Sequence, residues 1–239
     1  NLCVALRGNE FLLDEEETYE NSSIRTVTMP VVIERNTWFV VATTAGPIRR
    51  LAKAGTSRRR CQDRDEKKHG RRPDASRACV RSTLEDLHKR LPDGAQITLY
   101  SDLKSSYATL AKAVFGDAVT HLRTPGRAAR TTANPLFPIN TTLAMTRDNN
   151  GRLRRKSWLV SKKAECLVEQ MQLFLCYRNY VRTRFNSDPP GETPGRLLGL
   201  IERNLQAHEV LGWAQDWGRR SIHPTSADGD RTHDMAVAA

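Results

Sequence analysis

The chain has 239 residues and a formal net charge of +11, with 38 Lys and Arg against 27 Asp and Glu. It can therefore bury one substantial core, and its charge favours a polyanionic partner such as nucleic acid. No apolar run is long enough to span a bilayer, no signal-peptide pattern opens the chain, and the five scattered cysteines form no zinc motif, which predicts reduced thiols in a cytoplasmic protein.

An apolar segment, residues 11–13, runs directly into four acidic side chains, Asp14, Glu15, Glu16 and Glu17. The pattern predicts a buried strand with carboxylates at its end, and carboxylates beside a core need a cation or a hydrogen-bonding partner. Mg²⁺ takes oxygen ligands of this kind. A solvated acidic turn after a core strand is the alternative interpretation of the stretch.

The next two segments are rich in β-branched and aromatic residues and are separated by a short turn, so residues 24–33 and 37–43 predict a hairpin. Three antiparallel strands thus open the fold. Residues 49–72 differ sharply, with eleven basic residues against three acids and almost no apolar side chains. This composition predicts a flexible basic insertion, either as solvated surface or as a contact for phosphate.

The remaining pattern alternates helices and strands before it becomes entirely helical. Residues 96–101 predict a strand that delivers a second carboxylate, Asp102, at its end. Apolar residues at helical spacing and a β-branched run predict the other elements: helices 76–91, 105–115, 141–156, 162–185, 194–203 and 207–217, and a strand 118–122. The predicted domains are a core over 1–186, a helical extension over 187–224 and a disordered tail over 225–239.

Two short motifs carry a family resemblance. The segment from Asp14 to Tyr19 resembles the opening signature of bacterial insertion-sequence transposases of the group typified by insertion sequence one: Asp-Glu, two variable residues, Thr and an aromatic residue. The segment from Ser101 to Tyr107 is similar to the second signature of that group, a Ser-Asp pair at a strand end followed by Tyr.

A third motif makes the resemblance more specific. Residues 140–163 contain a polar residue, Asn140, then Arg147 seven positions later, an Arg-Leu-Arg-Arg-Lys run and a Ser-Lys pair, in the order of the third signature. The resemblance covers about residues 10–185. It implies an RNase H-like fold with a mixed five-stranded sheet flanked by helices, followed here by the helical C-terminal extension.

One departure from the family pattern concerns the third metal ligand. Most members of the group have Glu where this chain has Asn140. An amide oxygen can still bind a hard cation, although more weakly than a carboxylate. Asn140 is otherwise expected to cap the helix that follows it, and Glu165 and Glu169 are lower-ranked replacements for the missing acid.

The activity implied by the resemblance is phosphoryl transfer assisted by two Mg²⁺ or Mn²⁺ ions, with Asp14, Asp102 and Asn140 as metal-binding and catalytic residues. The implied partner is double-stranded DNA, at element ends and target, bound by a homo-oligomer in a bacterial nucleoid. The expected DNA-binding residues are basic and cluster in residues 147–163: Arg147, Arg152, Arg154, Arg155, Lys156, Lys162 and Lys163. Packing is the favoured role for Trp38 and Trp158, with base stacking as the alternative.

Three functions remain open at this point. The favoured one is a DNA transposase that cleaves and transfers strands at the ends of an insertion element. An inactive remnant that only binds DNA is the second, because Asn140 replaces an acid and the chain, which starts at Asn1 without Met, is expected to be a fragment. The third is another nuclease of the same fold. Among the histidines, only His121 lies near the expected site.

Overall fold

The computed structural model describes residue 6 and residues 8–153 and 158–212. In these ranges a mixed sheet of six strands is flanked by helices, which confirms the predicted α/β class. The strands are β1 (Glu10–Glu20), β2 (Ser22–Glu34), β3 (Val40–Thr43), β4 (Gly46–Pro47), β5 (Ile97–Ser101) and β6 (Val119–Arg123). The helices are α1 (Ser57–His69), α2 (Ser76–His88), α3 (Ser105–Phe115), α4 (Phe137–Asn149), α5 (Ala164–Cys176), α6 (Pro194–Leu197) and α7 (Ala207–Leu211).

Strand β1 lies at the centre of the sheet, whose order is β3-β2-β1-β5-β6. The first three strands are antiparallel, as predicted, whereas β5 and β6 run parallel to β1. The two-residue β4 pairs with β2 and is the sixth strand, which the sequence did not predict. This order is compatible with the RNase H-like arrangement.

Two separate hydrophobic cores lie on opposite faces of the sheet, because successive side chains of a strand point to opposite faces. Phe11 and Leu13 pack in the core that includes α2 and α3. Leu12, between them, packs in the core that includes α4 and α5. All three side chains are completely buried. The alternation continues into the acidic residues of β1 and separates their environments.

The basic segment 49–72 is a correction to the predicted flexible insertion, because it contains the 13-residue helix α1. The helix is held by polar contacts that are distant in sequence. Asp65 pairs with Arg25, and Glu66 pairs with Arg49. Thr56 caps the first turn by accepting a hydrogen bond from the amide of Arg59 at 3.2 Å.

Helix α4 begins four residues before the predicted start at residue 141. Its N-cap position is Leu136, and the side chain of Asn134 accepts a hydrogen bond from the Leu136 amide at 2.8 Å. Asn140 therefore lies inside the helix, and its predicted role as the N-cap is wrong. The helix ends at Asn149, and part of the predicted remainder, residues 154–157, lies outside the described residues.

The C-terminal part of the described chain packs on the core that contains Phe11. Leu198, Leu200, Ile201 and Leu205 are half-buried against it. The predicted helices over 194–203 and 207–217 are shorter, as α6 and α7, and the predicted tail over 225–239 lies outside the described residues. Within the described ranges, no helix has the length and apolar character needed to cross a membrane.

A side-chain amide closes one edge of the sheet. Helix α5 continues into a π-helical turn, Tyr177–Val181, which carries the buried Asn179. The Asn179 side chain accepts a hydrogen bond from the amide of Val40 and donates one to its carbonyl, both at 2.9 Å. The amide therefore binds both backbone polar groups of Val40 in the edge strand β3.

The two candidate tryptophans have opposite environments. Trp38 is buried and makes edge-to-face contacts with Phe137 and Phe185, as packing predicts. Trp158 is 80% exposed, so the predicted packing role is wrong for this residue.

Candidate active site

Asp14 lies in β1, and Asp102 directly follows the neighbouring parallel strand β5 at an equivalent height. The register pairs Phe11 with Leu99 and Leu12 with Tyr100, so two further residues along each strand bring Asp14 level with Asp102. Because parallel strands present their carboxyl ends at the same edge, the two carboxylates approach each other from β1 and from the turn that follows β5. This is the placement predicted from the sequence.

Asp14 occupies an unfavourable environment for a charged group. It shares the face of Leu12, against which α4 packs, and is half-buried. The pKa of Asp14 is raised to about 6, mainly by burial, and the nearby charges of Asp102 and Glu15 contribute to this rise. The amide of Glu15 donates a hydrogen bond to Asp14 Oδ1 at 2.7 Å and opposes the rise, as does the charge of Arg147.

Asp102 is oriented by the start of the next turn. Its Oδ1 accepts a hydrogen bond from the amide of Lys104 at 2.8 Å. Its Oδ2 points toward the loop after β6, where a Cβ added to Gly126 would lie 3.9 Å away. One oxygen of Asp102 is thus held by the backbone, and the other lies near the loop that contains Gly126.

His121, the histidine selected from the sequence, supports this turn from β6. Its Nε2 lies 2.8 Å from Ser101 Oγ, and Ser101 Oγ donates to the carbonyl of Asp102. Burial lowers the pKa of His121, and the charge of Arg123 lowers it further. The neutral imidazole therefore has a packing and hydrogen-bonding role beside Asp102.

Asn140 is half-buried in the first turns of α4, the helix that packs on β1. In the described part of the chain its side-chain amide makes no hydrogen bond. Arg147 lies seven residues further, close to two helical turns, and therefore on the same side of α4. The role of Asn140 as a metal ligand stays a prediction. The alternative acids Glu165 and Glu169 are both exposed on α5.

Arg147 contacts the acidic strand directly. Its Nε donates to Glu16 Oε1 at 2.5 Å, and the Glu16 side chain is completely buried while that of Arg147 is 40% exposed. A buried carboxylate needs such a cation, because leaving it unpaired is strongly destabilising. Arg147 was predicted to bind DNA, and the structure adds this second partner while leaving part of its guanidinium accessible.

The other predicted DNA-binding residues are only partly described. Lys162 and Lys163 are exposed before α5, and Arg152 is half-buried in the turn after α4. Arg154, Arg155 and Lys156 lie outside the described residues.

Sequence reasoning missed Glu15, which is adjacent to Asp14 but lies on the opposite face of the sheet. Its side chain is 8% exposed and pairs with Lys104. It accepts hydrogen bonds from Tyr107 Oη at 3.0 Å, from Ser76 Oγ at 3.0 Å and from Thr28 Oγ1 at 2.9 Å. The period-2 alternation of β1 contains the signal, since it separates Glu15 from Asp14 and Glu16.

The donor set is compatible with a hard divalent cation. Two carboxylates and one amide oxygen match the ligands that Mg²⁺ takes while it keeps positions for water and substrate phosphate. The raised pKa of Asp14 shows that burial and like charges exceed the stabilisation the protein gives this carboxylate. Over the described residues, no group of three or more His, Cys, Asp or Glu side chains is arranged to hold a metal. A site here would therefore depend on the Asp14–Asp102 pair.

Comparison with known proteins gives limited information. No protein-family model and no curated protein sequence matches the chain. The simian T-cell lymphotropic virus intasome in complex with PP2A regulatory subunit B56 gamma is a solved structure that matches the chain with a TM-score of 0.47 and 12% sequence identity. The match covers 81% of this chain and 55% of that chain, so this chain spans about half its length. Similarity at this level assigns no activity.

Proposed function

We propose that the chain is the catalytic core of a bacterial DNA transposase that cleaves and joins strands at the ends of its insertion element. The observation that supports this function is the level placement of Asp14 and Asp102 on neighbouring parallel strands. The three sequence signatures at Asp14, Asp102 and Asn140 and the net positive charge of the chain agree with it.

In this proposal Asp14 and Asp102 hold Mg²⁺ or Mn²⁺, and Asn140 contributes a neutral oxygen. The bound cations would activate water or a 3′-hydroxyl and stabilise the leaving oxygen of an in-line displacement. The chain itself positions the substrate. Arg147, fixed by Glu16, keeps guanidinium surface available for a phosphate, and the exposed Lys162 and Lys163 lie further along the same segment. Double-stranded DNA bound by two or more copies of the chain is the proposed substrate complex.

A catalytically inactive DNA-binding remnant is the second candidate. It is favoured by Asn140, a neutral residue at the position where the family has a third acid, and by the absence of a three-acid cluster in the described ranges. Both candidates predict DNA binding. They differ in whether a divalent cation produces cleavage.

The deciding experiment measures nicking of a labelled duplex that carries the flanking inverted repeats, with Mg²⁺ or Mn²⁺ and with EDTA. The transposase proposal expects cation-dependent nicking, and Asp102→Ala should lower its rate by about 100-fold or more because a metal ligand is lost. Asp117→Ala is the matched control, since it removes an exposed carboxylate on the turn after α3. Cleavage without strand-transfer products would favour a nuclease.

Asn140→Glu completes the experiment. If Asn140 binds the cation, an added carboxylate should lower the Mg²⁺ concentration that gives half-maximal nicking. DNA binding without nicking in both the parent and this variant would support the inactive remnant. An unchanged Mg²⁺ midpoint in an active protein would remove Asn140 from the ligand set.

A further inference from the structure

Helix α1 has an inner face that docks on the sheet by hydrogen bonds. Gln62, the buried residue of this helix, donates to the carbonyl of Arg50 at 2.7 Å and accepts from the amide of Ala52 at 2.8 Å. Its Nε2 also lies 3.5 Å from the carbonyl of Ile24 in β2. A helix of very low hydrophobicity thus has a fixed orientation without an apolar stripe.

The acids of the helix are all engaged by arginines. Asp65 accepts two hydrogen bonds from Arg25 Nε, at 3.2 and 3.0 Å, and a third from its Nη2 at 2.7 Å. Glu66 accepts from Arg49 at 2.7 and 2.9 Å. Asp63 pairs with Arg59 within the helix at 2.8 Å. The negative charges of α1 are therefore neutralised by cations of the docked face and its margin.

The opposite face carries cations alone. The outer face of α1 consists of Arg60, Arg64, Lys67 and Lys68, all exposed and spaced at i, i+4, i+7 and i+8, which places them on one side of a helix. In the described part of the chain none of the four has an ion-pair partner. The recorded contact of Arg64 is with Cys61 Sγ at 3.3 Å.

The length of this face matches a segment of nucleic-acid backbone. Eight residues at about 1.5 Å per residue separate Arg60 from Lys68, about 12 Å in all. One DNA strand places a phosphate every ~3.4 Å along the helix axis, so four cations face about four phosphates of one strand. Asp65 and Glu66 are paired with arginines on the docked side, and the exposed Asp63 beside this surface is paired with Arg59.

The outer face is distant from the Asp14–Asp102 pair. Helix α1 docks near Ile24, whereas Asp14 pairs with Val31, seven residues further along β2. Seven strand residues correspond to about 20 Å. A duplex that reaches both places would have to extend several base pairs beyond the reacting phosphate.

We propose that the outer face of α1 is a sequence-independent contact surface for the backbone of duplex DNA outside the candidate active site. The choice of DNA rests on the proposed function, but the surface itself requires no cleavage. Arg and Lys that contact only phosphates supply affinity and register and do not read bases.

The test is the salt dependence of binding to a duplex of random sequence in EDTA, where nicking does not occur. The variant is Arg60→Gln, Arg64→Gln and Lys67→Gln together, which removes three exposed charges that have no ion-pair partner in the described part of the chain. Each phosphate contact contributes about 0.9 to the slope of log affinity against log salt. The slope should therefore decrease by about two to three.

The matched control is Arg81→Gln, Lys89→Gln and Lys112→Gln, which removes three exposed charges from α2, α3 and the turn between them, each paired with an acid. For this control variant, the slope of log affinity against log salt should change by less than about one. Equal decreases in both triple variants, or an unchanged slope in the α1 variant, would overturn the proposal. Thermal melting checks folding, and Lys67→Gln with Lys68→Gln provides a milder variant that should lose about two in slope.

The result is independent of the proposed catalysis. A protein that never nicks DNA but loses salt dependence only in the α1 variant would keep this surface and refute the transposase activity. A protein that nicks DNA normally, and whose α1 variant keeps the salt dependence of the parent, would support the transposase activity and refute this contact surface.

Discussion

Asp14 and Glu15 are neighbours in one strand, yet their carboxylates lie in opposite environments. Glu15 accepts from three hydroxyl groups and pairs with Lys104, on the α2–α3 face. Asp14, on the α4 face, has one backbone hydrogen bond, and burial raises its pKa to about 6. Glu15 is a satisfied structural group, whereas Asp14 costs stability in its charged form, which is typical of functional sites.

The largest expected effect is the loss of the satisfied carboxylate. Glu15→Ala removes the partner of Lys104 and of three hydroxyl donors, so the free energy of unfolding should fall by about 3 kcal/mol. Chemical denaturation measures the change. Glu17→Ala is the control, because Glu17 pairs with Arg50 on a more exposed surface and its loss should cost less than about 1 kcal/mol. Similar losses in both variants would show that the burial and hydrogen bonds of Glu15 add nothing beyond a surface ion pair.

At Asp14, by contrast, removal of the charge is expected to raise the free energy of unfolding. Its pKa of about 6 in the folded protein exceeds the ordinary value of 3.8, so the folded state binds the proton more tightly and loses stability as the pH rises through about 6. In EDTA, Asp14→Asn should be more stable than the parent by about 3 kcal/mol at pH 8, and the difference should vanish below about pH 4. Denaturation at several pH values tests this, and a variant less stable at pH 8 would contradict it.

The smallest effect concerns the coupling of the two acids. Asp102→Asn removes a like charge and should lower the pKa of Asp14 from about 6 toward 3.8, only in part, because burial is the larger cause. An NMR titration of the Asp14 carboxyl carbon in EDTA measures the shift. Asp117→Asn, far from the site on the surface, should leave it unchanged. An identical titration in parent and Asp102→Asn would mean that the carboxylates do not interact.

The fold was predictable where local periodicity determines the element. The apolar and β-branched runs of β1, β2 and β5 and the helical spacing of α3 are local signals, and the structure agrees with them. Helix α1 was not predictable in this way, because its stability comes from Asp65 and Glu66 pairing with Arg25 and Arg49. Composition reveals the charges but not which partner each one finds.

The candidate site was predictable to a similar degree. Asp14 and Asp102 follow apolar runs, and parallel pairing of those runs brings them level. The position of Asn140 in its helix was not predictable, because the Asn134 side chain accepts a hydrogen bond from the backbone upstream and α4 begins at Phe137. The burial of Glu16 against Arg147 depends on how α4 packs, which no local pattern encodes.

The amide of Asn179 has a consequence for how copies of this protein can associate. By bonding both the N–H and the C=O of Val40, it occupies two of the hydrogen-bonding positions that a strand from another molecule would need at β3. In the described sheet, the opposite edge is β6, where Thr120, Leu122 and Arg123 are exposed. A strand from another molecule would have to displace the Asn179 amide in order to pair with Val40, whereas at β6 it would lie next to the turn that carries Asp102.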